Sequence, residues 1–118
     1  MDLSVQVEEL TGADDGWSVA RVAGELDVAT APRLREQLLA ALTDGRRNLV
    51  LDLTGVAFLD STGLGVIVGV LKRARTLGGD LRIVCPEGSV RRVFEITALD
   101  RTMSLSDTVD AALAGAEG

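Results

Sequence analysis

Between Asn48 and Leu53 the chain reads Asn-Leu-Val-Leu-Asp-Leu, a run that only Asp52 interrupts. A strand of this composition has no face to give to water. It belongs in the middle of a sheet covered on both sides, the usual situation of a strand in a parallel sheet. The cover must come from the same 118 residues, a length that suits one compact domain burying roughly two-thirds of the surface its unfolded form exposes. Aromatics are only 3% of the chain, so the core has to be built from Val, Leu, Ile and Ala.

The flanking segments supply the expected partners. Leu3, Val5 and Val7 alternate with Ser4, Gln6 and Glu8, the period-two pattern of a half-buried strand. Polar residues from Thr11 to Gly16 turn the chain into a second strand, Trp17 to Gly24, giving an antiparallel hairpin. Thr30 can cap a helix whose first turn tolerates Pro32, with Leu34, Leu38, Ala41 and Leu42 on one face. After the central strand, a short run from Val56 to Leu59 leads to a helix over Ser61 to Leu77, stopped by Gly78-Gly79. Leu81 to Cys85 is a further strand, Ser89 to Leu99 a further helix with Val90, Val93, Phe94 and Ile96 as its apolar spacing. Met103 to Leu105 reads as a last short strand and Asp107 to Ala114 as a closing helix capped by Ser106. The crossovers are long enough for parallel pairing. The expected fold class is therefore α/β: a single domain with a small mixed sheet of about four to five strands and about four helices packed against it. The domain spans residues 1–118, with a core of about 3–114 and a fraying small-residue tail.

Composition excludes several chemistries. The chain has no His, no Tyr and one Cys, which removes His-based acid–base catalysis, Cys/His metal clusters and internal disulfides. Cys85 follows an apolar run and reads as a small buried hydrophobe. A net charge of −6 repels nucleic acid over most of the surface. The N-terminus lacks a signal-peptide pattern, and the apolar stretch Val66 to Leu71 is too short to cross a bilayer. A soluble cytoplasmic protein with no membrane partner is expected. No Gly-Lys-Ser/Thr phosphate loop is present, and no cofactor is called for.

One motif remains, Phe58-Leu59-Asp60-Ser61-Thr62-Gly63-Leu64-Gly65-Val66. Asp, Ser and Thr are favoured at helix starts because a side-chain oxygen satisfies a free backbone N–H. In the helix that follows, Leu64, Ile67, Val68 and Leu71 make a sufficient core stripe, leaving Gly63, Gly65, Val66, Gly69 and Val70 off it. Interior glycines cost a helix about 1 kcal/mol each relative to Ala. Two explanations of Gly65 and Gly69 stand side by side: small residues let the helix approach its own sheet, or they form a flat strip, with Val66 and Val70 beside it, that accepts another protein. A phosphoryl group on Ser61 would meet free N–H groups and the positive end of the helix dipole. The fold should therefore survive modification, and a partner would feel the added charge of about −1.5 to −2. Asp60 adds to that charge. An unaided serine nucleophile is a poor alternative, with no His and with Lys72 about three turns away. The chain is therefore not expected to be an enzyme.

On these residues, with Gly24-Glu25-Leu26-Asp27 after the second strand and the strand at Leu49 to Leu53, residues 3–114 resemble the STAS domain. Within it the chain resembles the stand-alone bacterial anti-sigma factor antagonists. The resemblance implies a STAS-type fold and a partner that is both an anti-sigma factor and a serine kinase using ATP and magnesium. The unphosphorylated antagonist binds that partner and frees a sigma factor, phosphorylation of Ser61 blocks binding, and a serine phosphatase restores it. Thr62 holds the second hydroxyl position and is the alternative acceptor. Asp27 is implied to lie near the same surface, where a purely structural loop role is the other reading. The partner surface so implied comprises Asp27, Asp60, Ser61, Thr62, Gly63, Gly65, Val66, Gly69 and Val70, on a monomer or weak dimer. The alternative is a scaffold subunit of a lipid-transport or stress-sensing complex without this phosphoswitch.

Overall fold

The computed structural model describes residues 2–11 and 16–115. Most of the turn expected between Thr11 and Gly16 and the end of the expected tail lie outside the described residues. The elements are β1 (Leu3–Glu9), β2 (Trp17–Leu26), α1 (Ala31–Thr43), β3 (Asn48–Leu59), α2 (Ser61–Thr76), β4 (Asp80–Val84), α3 (Ser89–Ile96), a 3₁₀ turn (Leu99–Arg101), β5 (Leu105–Ser106) and α4 (Val109–Gly115). The strands form one sheet in the order β1-β2-β3-β4-β5. β1 pairs antiparallel with β2, and every later pair is parallel. Right-handed crossovers that all step the same way across a sheet deliver their helices to one face. Accordingly α1, α2 and α3 share a large core with Leu49, Leu51 and Leu53 of β3. The opposite face is covered by α4, whose Ala112 and Leu113 pack with Val19, Val50 and Val84 in a much smaller cluster.

The central strand runs further than its apolar stretch. β3 continues through Thr54 and Gly55 to Leu59, and its pairing with β2 shifts register twice, between Arg21 and Ala23 and between Gly24 and Glu25. These irregularities carry the strand end to Glu25↔Phe58 and Leu26↔Leu59, so β2 and β3 finish side by side.

Several local expectations need correction. Thr30 precedes α1 but makes no side-chain cap, because its hydroxyl is engaged in the preceding loop. The third helix ends at Ile96, since Ala98 is left-handed at φ 61° and a 3₁₀ turn follows. Ile96 is 77% exposed and outside the core. The last strand is Leu105–Ser106, whereas Met103 is a core residue. α4 begins at Val109, with the Thr108 hydroxyl, not that of Ser106, accepting from the N–H of Ala111 at 3.1 Å. The stop at Gly78 is as expected. Gly78 has φ +85°, its N–H bonds the carbonyl of Arg75, and that of Gly79 reaches Ala74, which together make a Schellman motif.

Candidate functional site

The sequence motif lies where β3 hands over to α2. The Asp60 N–H donates to the carbonyl of Leu26 at 3.1 Å, which ties the connection to the end of β2. Asp60 itself is the N-cap, in extended conformation, and its Oδ1 accepts from the N–H groups of Thr62 at 2.9 Å and Gly63 at 3.0 Å. Ser61 is therefore the first helical residue, exposed to solvent, with Thr62 exposed beside it. This changes one expectation. Two of the N–H groups that a phosphate on Ser61 was to meet already belong to the Asp60 carboxylate. A phosphoryl group there would keep the favourable helix dipole but would project beside an acid, toward water.

The glycines of the motif divide by environment. Gly63 is buried, and a Cβ on it would come 2.8 Å from Leu59 Cδ1, 3.0 Å from Leu26 Cβ and 3.2 Å from the Leu26 carbonyl oxygen. It lets the first turn of α2 rest on the paired strand ends. Gly65 and Gly69 are exposed, with nothing within 4 Å of a Cβ on either. Close packing accounts for Gly63 only. On the same side as Gly63, α2 turns Leu64, Ile67, Val70, Leu71 and Ala74 inward. Val70 is 1% exposed, so its expected place on a surface strip is corrected to the core. Val68, expected in the core, is only half-buried, as is Val66. The surface row that remains on α2 runs Ser61, Gly65, Gly69.

Asp27 opens the neighbouring loop between β2 and α1. Its Oδ1 accepts from the N–H groups of Ala29 at 2.9 Å and Thr30 at 3.0 Å. The Thr30 hydroxyl accepts from the Asp27 N–H at 3.0 Å and donates to the Glu25 carbonyl at 2.6 Å. The Thr30 N–H, foremost, holds the Asp27 carboxyl below its ordinary value of 3.8, with Ala29 adding to it against a smaller opposing cost of burial. Asp27 thus has a structural task in this loop, which emerges beside the Ser61 connection because Leu26 and Leu59 are paired.

Sequence reasoning missed two residues here. Val28 is 70% exposed and Phe58 49%, and they sit on the two strand-end segments that carry Asp27 and Asp60. Val28 stood in plain view between Asp27 and Ala29. Phe58 is out of step with Leu49, Leu51, Leu53 and Leu59 of the large core, so alternation along β3 was the signal that could have found it. Elsewhere, Cys85 is buried and its thiol is pushed up to about 11 by loss of hydration, against a smaller opposing effect of Arg91. It is not a nucleophile near neutral pH. Among the described residues no group of three or more acids and cysteines could hold a metal ion, and no helix is long and apolar enough to cross a membrane.

Comparison with known proteins places this geometry. The model of the STAS domain matches residues 4–112. An anti-sigma-B factor antagonist of Staphylococcus aureus is 36% identical over 107 residues, 91% of this chain and 95% of that one. The crystal structure of an anti-sigma factor antagonist from Mycobacterium paratuberculosis superposes with a TM-score of 0.88 at 33% identity, over 99% of this chain and 96% of the other. The Bacillus cell fate determinant SpoIIAA in its phosphorylated form has the same fold, with a TM-score of 0.70 at 24% identity over 96% and 99% of the two chains. With a five-stranded mixed sheet, its helices and a family match across nearly its whole length, the chain belongs to the STAS domain family.

Proposed function

We propose that this chain is an anti-sigma factor antagonist whose hold on its anti-sigma factor is switched by phosphorylation of Ser61. The observation that carries the reading is the placement of Ser61: exposed at the first position of α2, at the head of a row whose next members, Gly65 and Gly69, present open backbone. The similarity over 91% of the chain to an anti-sigma-B factor antagonist supports the class of partner. The partner is a serine kinase that moves the γ-phosphoryl of ATP, with magnesium, onto Ser61 Oγ. The hydroxyl gives up its proton and ADP leaves. A serine phosphatase hydrolyses the ester and returns the hydroxyl.

The unmodified surface is suited to close contact. Small residues allow backbone approach along α2, and Val28 and Phe58 offer apolar area on the adjoining segments. Phosphorylation puts about −1.5 to −2 charges on that contact, beside the Asp60 carboxylate, and the cost of stripping water from them opposes rebinding. The fold is untouched because Ser61 makes no buried contact. The chain acts by binding, not by catalysis, in a cytoplasmic setting.

The test is a binding titration with the purified kinase-type anti-sigma factor of the same genome, together with intact-mass analysis after incubation with ATP and magnesium. Ser61→Ala should bind as the wild type does and gain no phosphate, while Ser61→Asp should bind at least about tenfold more weakly with an unchanged melting temperature. Phosphate on Thr62 alone would move the acceptor. Equal binding by wild type and Ser61→Asp would favour a scaffold role instead.

A further inference from the structure

South of the switch, α1 and α2 leave between them an open groove of about 590 Å³, floored by Leu39, Leu42 and Leu77 and rimmed by Arg35, Arg47 and Arg73. None of its lining residues is acidic, although the chain as a whole carries a net charge of −6. Close sequence neighbours of these arginines are already paired: Arg46 with Glu9 at 3.1 Å and Arg75 with Asp80 at 3.4 Å. Arg35, Arg47 and Arg73 form no ion pair among the described residues. The groove also continues the row described above. From Ser61, steps of four residues along α2 pass Gly65, Gly69 and Arg73 and end on Leu77, its C-cap, all at least partly open to solvent.

From this we infer that the groove is a second docking point for the partner and takes an acidic, apolar-faced segment of the anti-sigma factor. The inference rests on the proposed function. The chemistry selects the occupant. A small anion would answer the arginines but leave the leucine floor wet, and a neutral apolar segment would cover the floor and desolvate arginines without answering them. A segment with carboxylates beside apolar side chains satisfies both, and guanidinium groups grip carboxylates in bidentate fashion. Ser61 and Arg73 are about 18 Å apart along the helix, at about 1.5 Å per residue. That exceeds the Debye length of about 8 Å at physiological salt, so a charge at Ser61 leaves the groove's attraction in place. The groove anchors and steers; the Ser61 end decides whether the contact closes.

The experiment is a titration of the anti-sigma factor with wild type, Arg35→Glu/Arg73→Glu and the milder Arg35→Gln/Arg73→Gln, each checked for an unchanged melting temperature, over a range of salt. The charge-reversal variant should bind about tenfold or more weakly at low salt and converge on wild type at high salt. Its penalty should multiply with that of Ser61→Asp, because the sites are too far apart to couple. If wild type binds and both groove variants bind equally well, the groove inference is overturned while the Ser61 reading stands. If wild type binds no anti-sigma factor, the Ser61 reading fails. The groove is then decided by nuclear magnetic resonance with a synthetic peptide of Glu and Leu at helical spacing. Shifts of the Gly45 and Gly69 amides that a Lys-for-Glu peptide does not produce would sustain it, and no shifts would overturn it. Dimerisation of the wild type that the charge reversal abolishes would put a second copy in the groove and overturn the choice of occupant.

Discussion

Gly63, Gly65 and Gly69 look alike in the sequence and do different things. At Gly63 a methyl group would press on Leu59, Leu26 and the Leu26 backbone, and the backbone cannot give way as a flexible side chain could. Gly63→Ala should therefore lower stability by about 1–3 kcal/mol. Gly65→Ala and Gly69→Ala meet open space and should each raise it, by up to about 1 kcal/mol, through helix propensity alone. Denaturant midpoints of the three variants check this, and a loss at Gly65 equal to that at Gly63 would contradict the contact geometry. The sequence carried the oddity of these glycines but not its resolution. Spacing says which residues share a helix face, but not how that face is rotated toward the sheet, where Gly63 packs against Leu26 and Leu59. Val70 lies in the core, whereas Val68 is half-buried at its edge. That a helix starts with a cap within Asp60-Ser61-Thr62 was legible from local backbone chemistry, but not that Asp60 is the residue that supplies it.

Among the elements, the helices and strands with strong periodicity were readable and their junctions were less so. The Schellman end of α2 could be read from Gly78, since a left-handed residue has few alternatives there. The β2–α1 loop could not. Thr30 has the side chain of a cap, yet its hydroxyl is spent on Glu25 and Asp27, and Asp27, in a loop beside the Ser61 connection, has the structural role that was one of its two readings. This arrangement has a pH signature. The Asp27 carboxyl is held below 3.8 in the folded chain, so its contribution to the loop is complete above that value and is lost as pH falls through the folded value. The amide resonances of Ala29 and Thr30 should move together in acid, with a midpoint below 3.8. Asp27→Ala should abolish that transition. A midpoint above 3.8 would mean that the N–H bonds to Asp27 do not persist in solution.

For the molecule as a whole, the two faces of the sheet carry unequal loads. The run at Leu49 to Leu53 announced a strand covered on both sides, and it is, but three helices cover one side and the short α4 covers the other. The imbalance follows from strand order, which no local pattern reveals. The sequential order β1 to β5 sends the crossovers one way and leaves the far face to whatever follows β5. Leu113 is the largest side chain that α4 buries there. Leu113→Ala should cost about 2 kcal/mol, at the low end for a core leucine because the cluster is small and near the surface. Thermal unfolding measures the loss, and affinity for the partner should not change, since Ser61 and the arginine groove belong to helices of the other face.

The bond from the Asp60 N–H to the Leu26 carbonyl joins residues that meet only when β2 and β3 are paired. A surface assembled from two strand ends does not exist in an unfolded or half-open chain. Whatever binds there selects native molecules and holds them native by mass action. In the complex the chain is sheltered from proteases that catch transiently opened forms, and on release it returns to the marginal stability of a small domain. If the proposed phosphorylation of Ser61 frees this surface, it would also expose the molecule to turnover, and the strand-end bond would then link recognition to lifetime.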